Sequence, residues 1–285
     1  MSKGFFTIAQ GEQYQRLAYA LALSLKISQK EHSNLSIGVT EEELQTIPAK
    51  YKEVFDHIVP IPWKDHAANS EWKLENEWKV IHMTPYDETI KLDADMFFPC
   101  DITPWWSALE RSDGVFATTV HTYRGDKITS DFYRKTFTES KLPNIYTAFF
   151  YFKKNDLNYE LFSLAEFIFN NWERCFYEYL LPDQRPKFVS TDVVFAIAAK
   201  IMDYEQYNNF KSETMPTFVH MKSQLQGWPN DAFMNEDWTT MVPTSFNLDG
   251  DLKIGNYLQQ LPLHYHVKSF MSDHMIAQME KKLGI

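Results

Sequence analysis

Apolar positions along the first half of the chain switch between two rhythms. Gly4 to Ile8 is a short, nearly continuous apolar run that predicts a buried strand, and it empties into the polar loop Ala9-Gln10-Gly11-Glu12. Leu17, Ala18, Leu21, Ala22 and Leu25 then recur at helical spacing. Leu35 to Val39 predicts a second strand, Glu41 to Tyr51 a helix, and Asp56 to Ile61 a third strand stopped by Pro60 and Pro62. Glu71 to Met83 reads as a helix broken at Thr84-Pro85, and Thr89 to Leu92 as a strand leading into Asp93-Ala94-Asp95. Gly114 to Val120 and Tyr146 to Phe152 are further strands. In the second half, Asn155 to Leu181 is mostly helical, Thr191 to Ile201 is a helix, and Thr217 onward gives a strand carrying His220. Segment 222–250, rich in Trp, Pro, Asn and Asp, lacks a period and predicts a long loop, a feature uncommon unless it binds or covers something. A hairpin-like stretch follows over 252–267, then a helix from Ser272 to Leu283 with Ser272 as N-cap.

Strands alternating with helices imply an α/β fold whose largely parallel sheet is covered on both faces. Ligands of such sheets sit beyond the carboxyl ends of the strands, so loops 9–12 and 93–95 are expected on one rim. No linker is visible, and one continuous domain with C-terminal additions is expected.

Composition narrows the classes. The chain of 285 residues carries 38 acidic against 28 basic side chains, a net charge of −10, which opposes non-specific nucleic-acid binding over the whole surface but not a local basic groove. A hydrophobic content of 44% argues against disorder. Two cysteines, Cys100 and Cys175, make neither a disulfide framework nor a four-thiolate zinc site, and a reduced, cytoplasmic setting is expected. No apolar run approaches the roughly 18 residues of a membrane span, and the N-terminal stretch around Lys3 is too short for a signal peptide.

The most informative string is Pro85-Tyr86-Asp87-Glu88-Thr89-Ile90-Lys91-Leu92-Asp93-Ala94-Asp95-Met96-Phe97-Phe98. Residues i and i+2 of an extended chain face one side, so Asp93 and Asp95 repel unless a cation joins them. Mg²⁺ or Mn²⁺ suits such oxygen ligands and can be shared with phosphates. Taken alone, Asp-x-Asp also describes a solvated turn.

This string resembles the DxD segment of GT-A glycosyltransferases, especially family 8, the glycogenin and lipopolysaccharide galactosyltransferase group. The segment from Phe5 to Leu25 is similar to that family's opening strand, polar loop and Ala/Leu-rich helix. The resemblance implies a GT-A (Rossmann-like) fold, with a mixed, mainly parallel sheet flanked by helices. Residues 1–228 would form the nucleotide-sugar-binding and catalytic core, and 229–285 a C-terminal extension packed on it. The implied activity is a metal-dependent, retaining transfer of sugar from a nucleotide sugar, UDP-linked by preference. In it Ala9, Gln10, Gly11 and Tyr14 hold base and ribose, Asp93 and Asp95 bind Mn²⁺ or Mg²⁺ on the diphosphate, and Tyr14 stacks on the base. The family's metal-binding histidine matches His220, followed here by Gly227-Trp228-Pro229, and Lys222 stands in for the phosphate-binding lysine. The family's Asp-Gln motif matches Asp192-Val193 without the glutamine, giving Asp192 a role toward the donor sugar or the anomeric carbon. Its Asn-x-Gly motif matches Tyr146-Thr147-Ala148-Phe149-Phe150, where neither Asn nor Gly is kept. Lys79 matches a basic residue contacting the donor sugar. For Asp192 a plain helix-terminal carboxylate is the alternative reading, for Lys79 a solvated lysine.

Two other constellations compete. His264-Tyr265-His266 puts two imidazoles on one face of a strand, a geometry that can bind a transition metal; no third ligand is evident nearby, so surface histidines are the expected reading, yet with Lys268 this strand rivals His220 for the diphosphate metal. Segment 121–141 interleaves Arg124, Lys127, Arg134, Lys135 and Lys141 with Tyr123, Phe132, Tyr133 and Phe137, a pattern open to nucleic-acid contact or to an ordinary surface loop. The chain also resembles glycosyltransferases of large bacteriophages that decorate modified pyrimidines in DNA, which makes DNA one possible acceptor in a host cytoplasm. A metal-dependent nucleotidyl- or phosphotransferase, and a non-catalytic nucleotide-sugar-binding protein, are the alternatives from other classes.

Overall fold

The structure is a computed structural model that describes residues 1–70, 73–128, 134–204, 215–222 and 238–285. Strand β1 (Lys3–Ile8) runs into helix α1 (Glu12–Ser28), followed by β2 (Leu35–Val39). The expected single helix over 41–51 is two short ones, α2 (Glu43–Thr46) and α3 (Ala49–Lys52), because Pro48 has no N–H to continue the first. Strand β3 is Ile58–Pro60. The helix expected over 71–83 opens as a 3₁₀ segment at Leu74–Lys79 before α4 (Val80–Met83), and its first two positions lie outside the described residues. Then come β4 (Glu88–Leu92), β5 (Met96–Phe97) and α5 (Thr103–Leu109).

The strand expected over 114–120 is two strands, β6 (Gly114–Ala117) and β7 (Thr119–His121), which belong to different sheets. Helix α6 (Lys135–Glu139), β8 (Tyr146–Lys153), α7 (Asp156–Asn170), α8 (Trp172–Tyr179) and α9 (Thr191–Ile201) follow. The remaining strands are β9 (Thr217–His220), β10 (Thr244–Phe246), β11 (Leu252–Ile254), β12 (Tyr257–Leu258) and β13 (Leu263–His264). The C-terminal helix, Asp273–Leu283, starts at Ser272, whose hydroxyl accepts the Met275 N–H as expected of an N-cap.

The main sheet has the order β3-β2-β1-β4-β8-β6. Strands β3, β2, β1 and β4 pair in parallel, while β8 runs antiparallel to both β4 and β6. This is the mixed, mainly parallel, helix-flanked α/β architecture expected from the sequence. Strands β2 and β4 are buried along their whole length and β1 from Gly4 onward, as required of strands covered on both faces. One core lies under α1, with Leu17, Leu21 and Leu25 against Phe5 and Ile37; the other lies under α7 and α9, with Phe162 and Phe195 against Phe150.

A second sheet, β5-β13-β9-β7, stands beyond the carboxyl end of β4. The chain returns from the C-terminal region to insert β13 between β5 and β9, antiparallel to the first and parallel to the second. Only β11 and β12 form the hairpin expected over 252–267. The C-terminal helix packs on α1, where Tyr19 donates to Glu280 at 2.9 Å and Arg16 reaches Asp273. The proposed boundary at 228/229, the Gly227-Trp228-Pro229 string and most of the predicted 222–250 loop lie outside the described residues. Cys100 and Cys175 are free thiols. Among the described residues, no helix is long and apolar enough to cross a membrane.

Candidate functional site

A cleft of about 450 Å³ opens over the carboxyl ends of β1 and β4, where both polar loops were expected to meet. Its size lies within the roughly 300–1,000 Å³ usual for ligand sites. Gln10 lines it from the first loop and Tyr14 from the first turn of α1, Asp93 and Asp95 from the second loop, and Asp192 from the start of α9. His220, Lys222, His264, His266 and Lys268 close the side formed by the second sheet.

The Asp-Ala-Asp turn is held at both ends. Its flanking strands β4 and β5 are buried, Asp93 N–H donates to Ala148 O at 3.2 Å, and Met96 N–H closes the turn on Asp93 O at 3.2 Å. Tyr265 N–H donates to Asp95 O at 3.2 Å, tying the turn to the chain beyond β13. Both carboxylates therefore face the cleft. Lys91, two residues before Asp93 on the same face of β4, bonds Asp93 Oδ1 at 2.7 Å, Glu77 Oε2 at 2.7 Å and Thr147 O at 3.3 Å. Burial by itself would lower the Lys91 pKa, but the carboxylates of Asp93 and Glu77 outweigh it and raise the value. Burial, with Asp93 nearby, pushes Glu77 up against the pull of Lys91.

His264 completes the acidic corner. Its Nε2 lies 3.2 Å from Asp95 Oδ1 and 3.6 Å from Asp93 Oδ2. Lys268 bonds the other Asp95 oxygen and stands 5.3 Å from the Tyr14 ring centroid. Burial alone would raise the Asp95 pKa; the His264 and Lys268 charges override it and hold the carboxyl well below its usual range. Asp93, Asp95 and His264 form a set of potential metal ligands, their ligating atoms all within 4.8 Å of one another. Two carboxylates, each now paired with a lysine, and an imidazole are a donor set that fits Mn²⁺ better than Mg²⁺, because imidazole favours transition metals.

His220 lies beside this corner. Register pairs it with His264 across β9 and β13, and the two rings run parallel, 5.3 Å apart with planes 11° apart. His220 Nε2 faces His266 Nε2 at 2.6 Å. Burial, then the neighbouring imidazoles, pushes the pKa of His220 well below the usual histidine value. Burial and His264 do the same for His266. Both are neutral at pH 7.

Asp192 occupies the other part of the cleft. Its Oδ1 accepts from Thr147 N–H at 2.9 Å and from the Thr147 hydroxyl at 2.7 Å, and its Oδ2 accepts from Arg134 Nη1 at 2.7 Å. Burial opposes the charge, but Arg134 and the Thr147 N–H outweigh it and keep the pKa low. The Arg134 guanidinium is sandwiched between Phe137 and Tyr146, 3.7 and 4.0 Å from their centroids, and bonds Asn144 and Ile145 O. Arg134 is thus an internal support and not part of an exposed basic groove. Tyr123 and Phe137 of the same segment are also buried, while Phe132 and Tyr133 lie outside the described residues. The nucleic-acid reading of 121–141 loses these residues to the core.

The first loop is fixed from behind. Gln10 donates to Asp65 Oδ2 at 2.6 Å and accepts from Asn76 at 3.0 Å. Ala9 is buried and ties its N–H to Gly38 O at 2.8 Å, so it shapes the loop without lining the cleft. Gly11 also stands behind the lining. It has φ +95°, which only glycine adopts without strain, and its N–H donates to Glu43. Lys79 does not reach the cleft: it is buried, lies 5.4 Å from the Trp78 ring centroid and donates to Lys64 O at 2.5 Å. The lysines that contact the acidic turn are Lys91, on Asp93, and Lys268, on Asp95; sequence reasoning missed Lys91. A charged residue inside the apolar run Ile90-Lys91-Leu92, two positions from Asp93, was the signal for it in the sequence.

No protein-family model matches the chain. No curated protein matches it in sequence. Solved structures that superpose on it include glycosyltransferases. Mouse xyloside xylosyltransferase 1 in its apo form aligns at TM-score 0.45 and 12% identity, over 85% of this chain and 90% of that one. Galactosyltransferase LgtC with donor and acceptor sugar analogues aligns at 0.47 and 8%, over 98% and 95%. Apo glycosyltransferase GlyE of Streptococcus pneumoniae aligns at 0.46 and 10%, over all of this chain but 63% of its own. A superposition at that level assigns no role to any residue.

Proposed function

We propose that the chain is a metal-dependent glycosyltransferase that uses a nucleotide sugar, UDP-linked by preference. The observation that carries this reading is the convergence of Asp93, Asp95 and His264 in the same cleft as an ionised Asp192 and the aromatic ring of Tyr14. Asp93, Asp95 and His264 would hold Mn²⁺, which would supply neutralising charge to a leaving diphosphate. His264 takes the ligand role that the sequence resemblance gave to His220. Tyr14 offers the face on which a base stacks, and the Gln10–Asp65–Asn76 network holds its loop. Lys222 and Lys268 add positive charge at the rim. Asp192, kept ionised by Arg134 and oriented by Thr147, accepts donor-sugar hydroxyls or stabilises positive charge at the anomeric carbon. Lys79 has no part in this arrangement. Retention of configuration, implied by the family resemblance, belongs to the same proposal and is read from the anomeric form of the product.

The test is a panel of UDP-sugars with Mn²⁺, read by mass spectrometry with and without acceptors, DNA with modified pyrimidines included. UDP and free sugar, lost in Asp95→Asn while its circular dichroism is unchanged, support the transfer. Pyrophosphate release would instead make it a nucleotidyltransferase. Donor binding without turnover across the panel would make it a binding protein.

A further inference from the structure

We infer that His220, His264 and His266 form a second metal position, distinct from the acidic one, that takes Zn²⁺, Ni²⁺ or Co²⁺ and shares His264 with it. One ligand nitrogen from each residue lies within 4.8 Å of the others, close enough for a single ion to draw them together. The rings form a stack: His264 and His266 have centroids 3.9 Å apart, His220 and His266 4.7 Å. Sheet register builds two of the three, since His220 and His264 are direct partners on β9 and β13.

The third is placed by an unusual backbone. His266 has φ +49°, a left-handed conformation that a non-glycine residue adopts only under strain, and such residues cluster at functional sites. This turn brings the His266 ring back onto the other two.

Ligand chemistry separates the two positions. Three imidazoles suit Zn²⁺, Ni²⁺ and Co²⁺, whereas Mg²⁺ requires oxygen. Because His264 belongs to both triads, an ion on the three histidines and Mn²⁺ at Asp93 and Asp95 compete for it.

Equilibrium dialysis of the full chain with ZnCl₂ alone tests this, with no nucleotide or sugar present. An Asp95→Asn variant removes the acidic position; in that background one equivalent of Zn²⁺ is expected, with Mg²⁺ unable to displace it. Adding His266→Ala, or separately His220→Gln, weakens that binding about 100-fold or more, while circular dichroism confirms the fold. In the wild type, Zn²⁺ lowers the apparent affinity for Mn²⁺. Absence of Zn²⁺ binding in Asp95→Asn, or unchanged binding after either histidine is replaced, overturns the site. Full simultaneous binding of both ions overturns the sharing of His264. The dialysis involves no turnover, so an inactive donor panel leaves this inference standing, and its failure leaves the proposed sugar transfer standing.

Discussion

Replacing Lys91 by Met removes the one ammonium group set between Glu77 and Asp93. Lys91 is almost fully buried, with a side-chain exposure of 4%, and bonds each carboxylate at 2.7 Å. Methionine fills similar volume but leaves two carboxylates facing across a nearly dry gap. Breaking a buried ion pair from one side costs about 3–5 kcal/mol. The chain has an escape, which is to protonate Glu77. From an unfolded-state pKa of about 4.3, that costs about (7 − 4.3) × 1.36, or ~3.7 kcal/mol, at pH 7.

The expected destabilisation is therefore about 3–4 kcal/mol at pH 7. The sign of the pH effect follows from a raised folded-state pKa. An acid so shifted destabilises the fold increasingly above its unfolded pKa, so the loss shrinks on acidification, to about 1 kcal/mol at pH 5. Urea unfolding followed by circular dichroism at pH 7 and pH 5 measures both values. Mn²⁺ at Asp93 replaces the missing positive charge, so it should stabilise the variant more than the wild type. A loss below about 1 kcal/mol at pH 7, or one that is the same at both pH values, would refute the reasoning.

Arg134→Met strips Asp192 of its counter-charge and should cost about 3 kcal/mol, the low end for a buried pair because Asp192 is partly open to the cleft. The Asp192 pKa is depressed in the fold, so this contribution is complete above about pH 4, the unfolded value, and fades as pH falls through the folded one; denaturation midpoints from pH 7 to pH 3 check it. Tyr14→Ala should weaken UDP binding about 10-fold by calorimetry with the melting temperature nearly unchanged, given stacking worth about 1–3 kcal/mol per base; unaltered affinity would remove Tyr14 from the base site. Gly4→Ala puts a Cβ 2.4 Å from the Tyr86 ring, whose hydroxyl bonds Ser36 and Asp56, and should cost about 1–3 kcal/mol in thermal or urea unfolding.

The sequence by itself determined the parts that depend on neighbours in the chain. Phe5-Phe6 in β1, Leu35-Ile37-Val39 in β2 and Ile90-Leu92 in β4 mark short buried strands between turn signals, and that pattern shows without any partner. The acidic pair Asp93 and Asp95 between two buried strands was likewise legible, although it is a turn, closed by Met96 N–H on Asp93 O, and not strand alternation that aims both carboxylates at the cleft. Lys91 stood in the same string, but it was not singled out until the fold set it between Glu77 and Asp93.

Tertiary structure decided which groups those carboxylates meet. His264 reaches them because β13 inserts between β5 and β9, a pairing between segments far apart in the chain that no local period encodes. Arg134 looked like a surface cation in sequence, yet the fold sandwiches it between Phe137 and Tyr146 to hold Asp192. Lys79 looked available and is turned to a backbone carbonyl. The division follows from range: strand and helix periods are set by which face is buried a few residues away, whereas the partner of a charged group is chosen by sheet register and packing across the whole molecule.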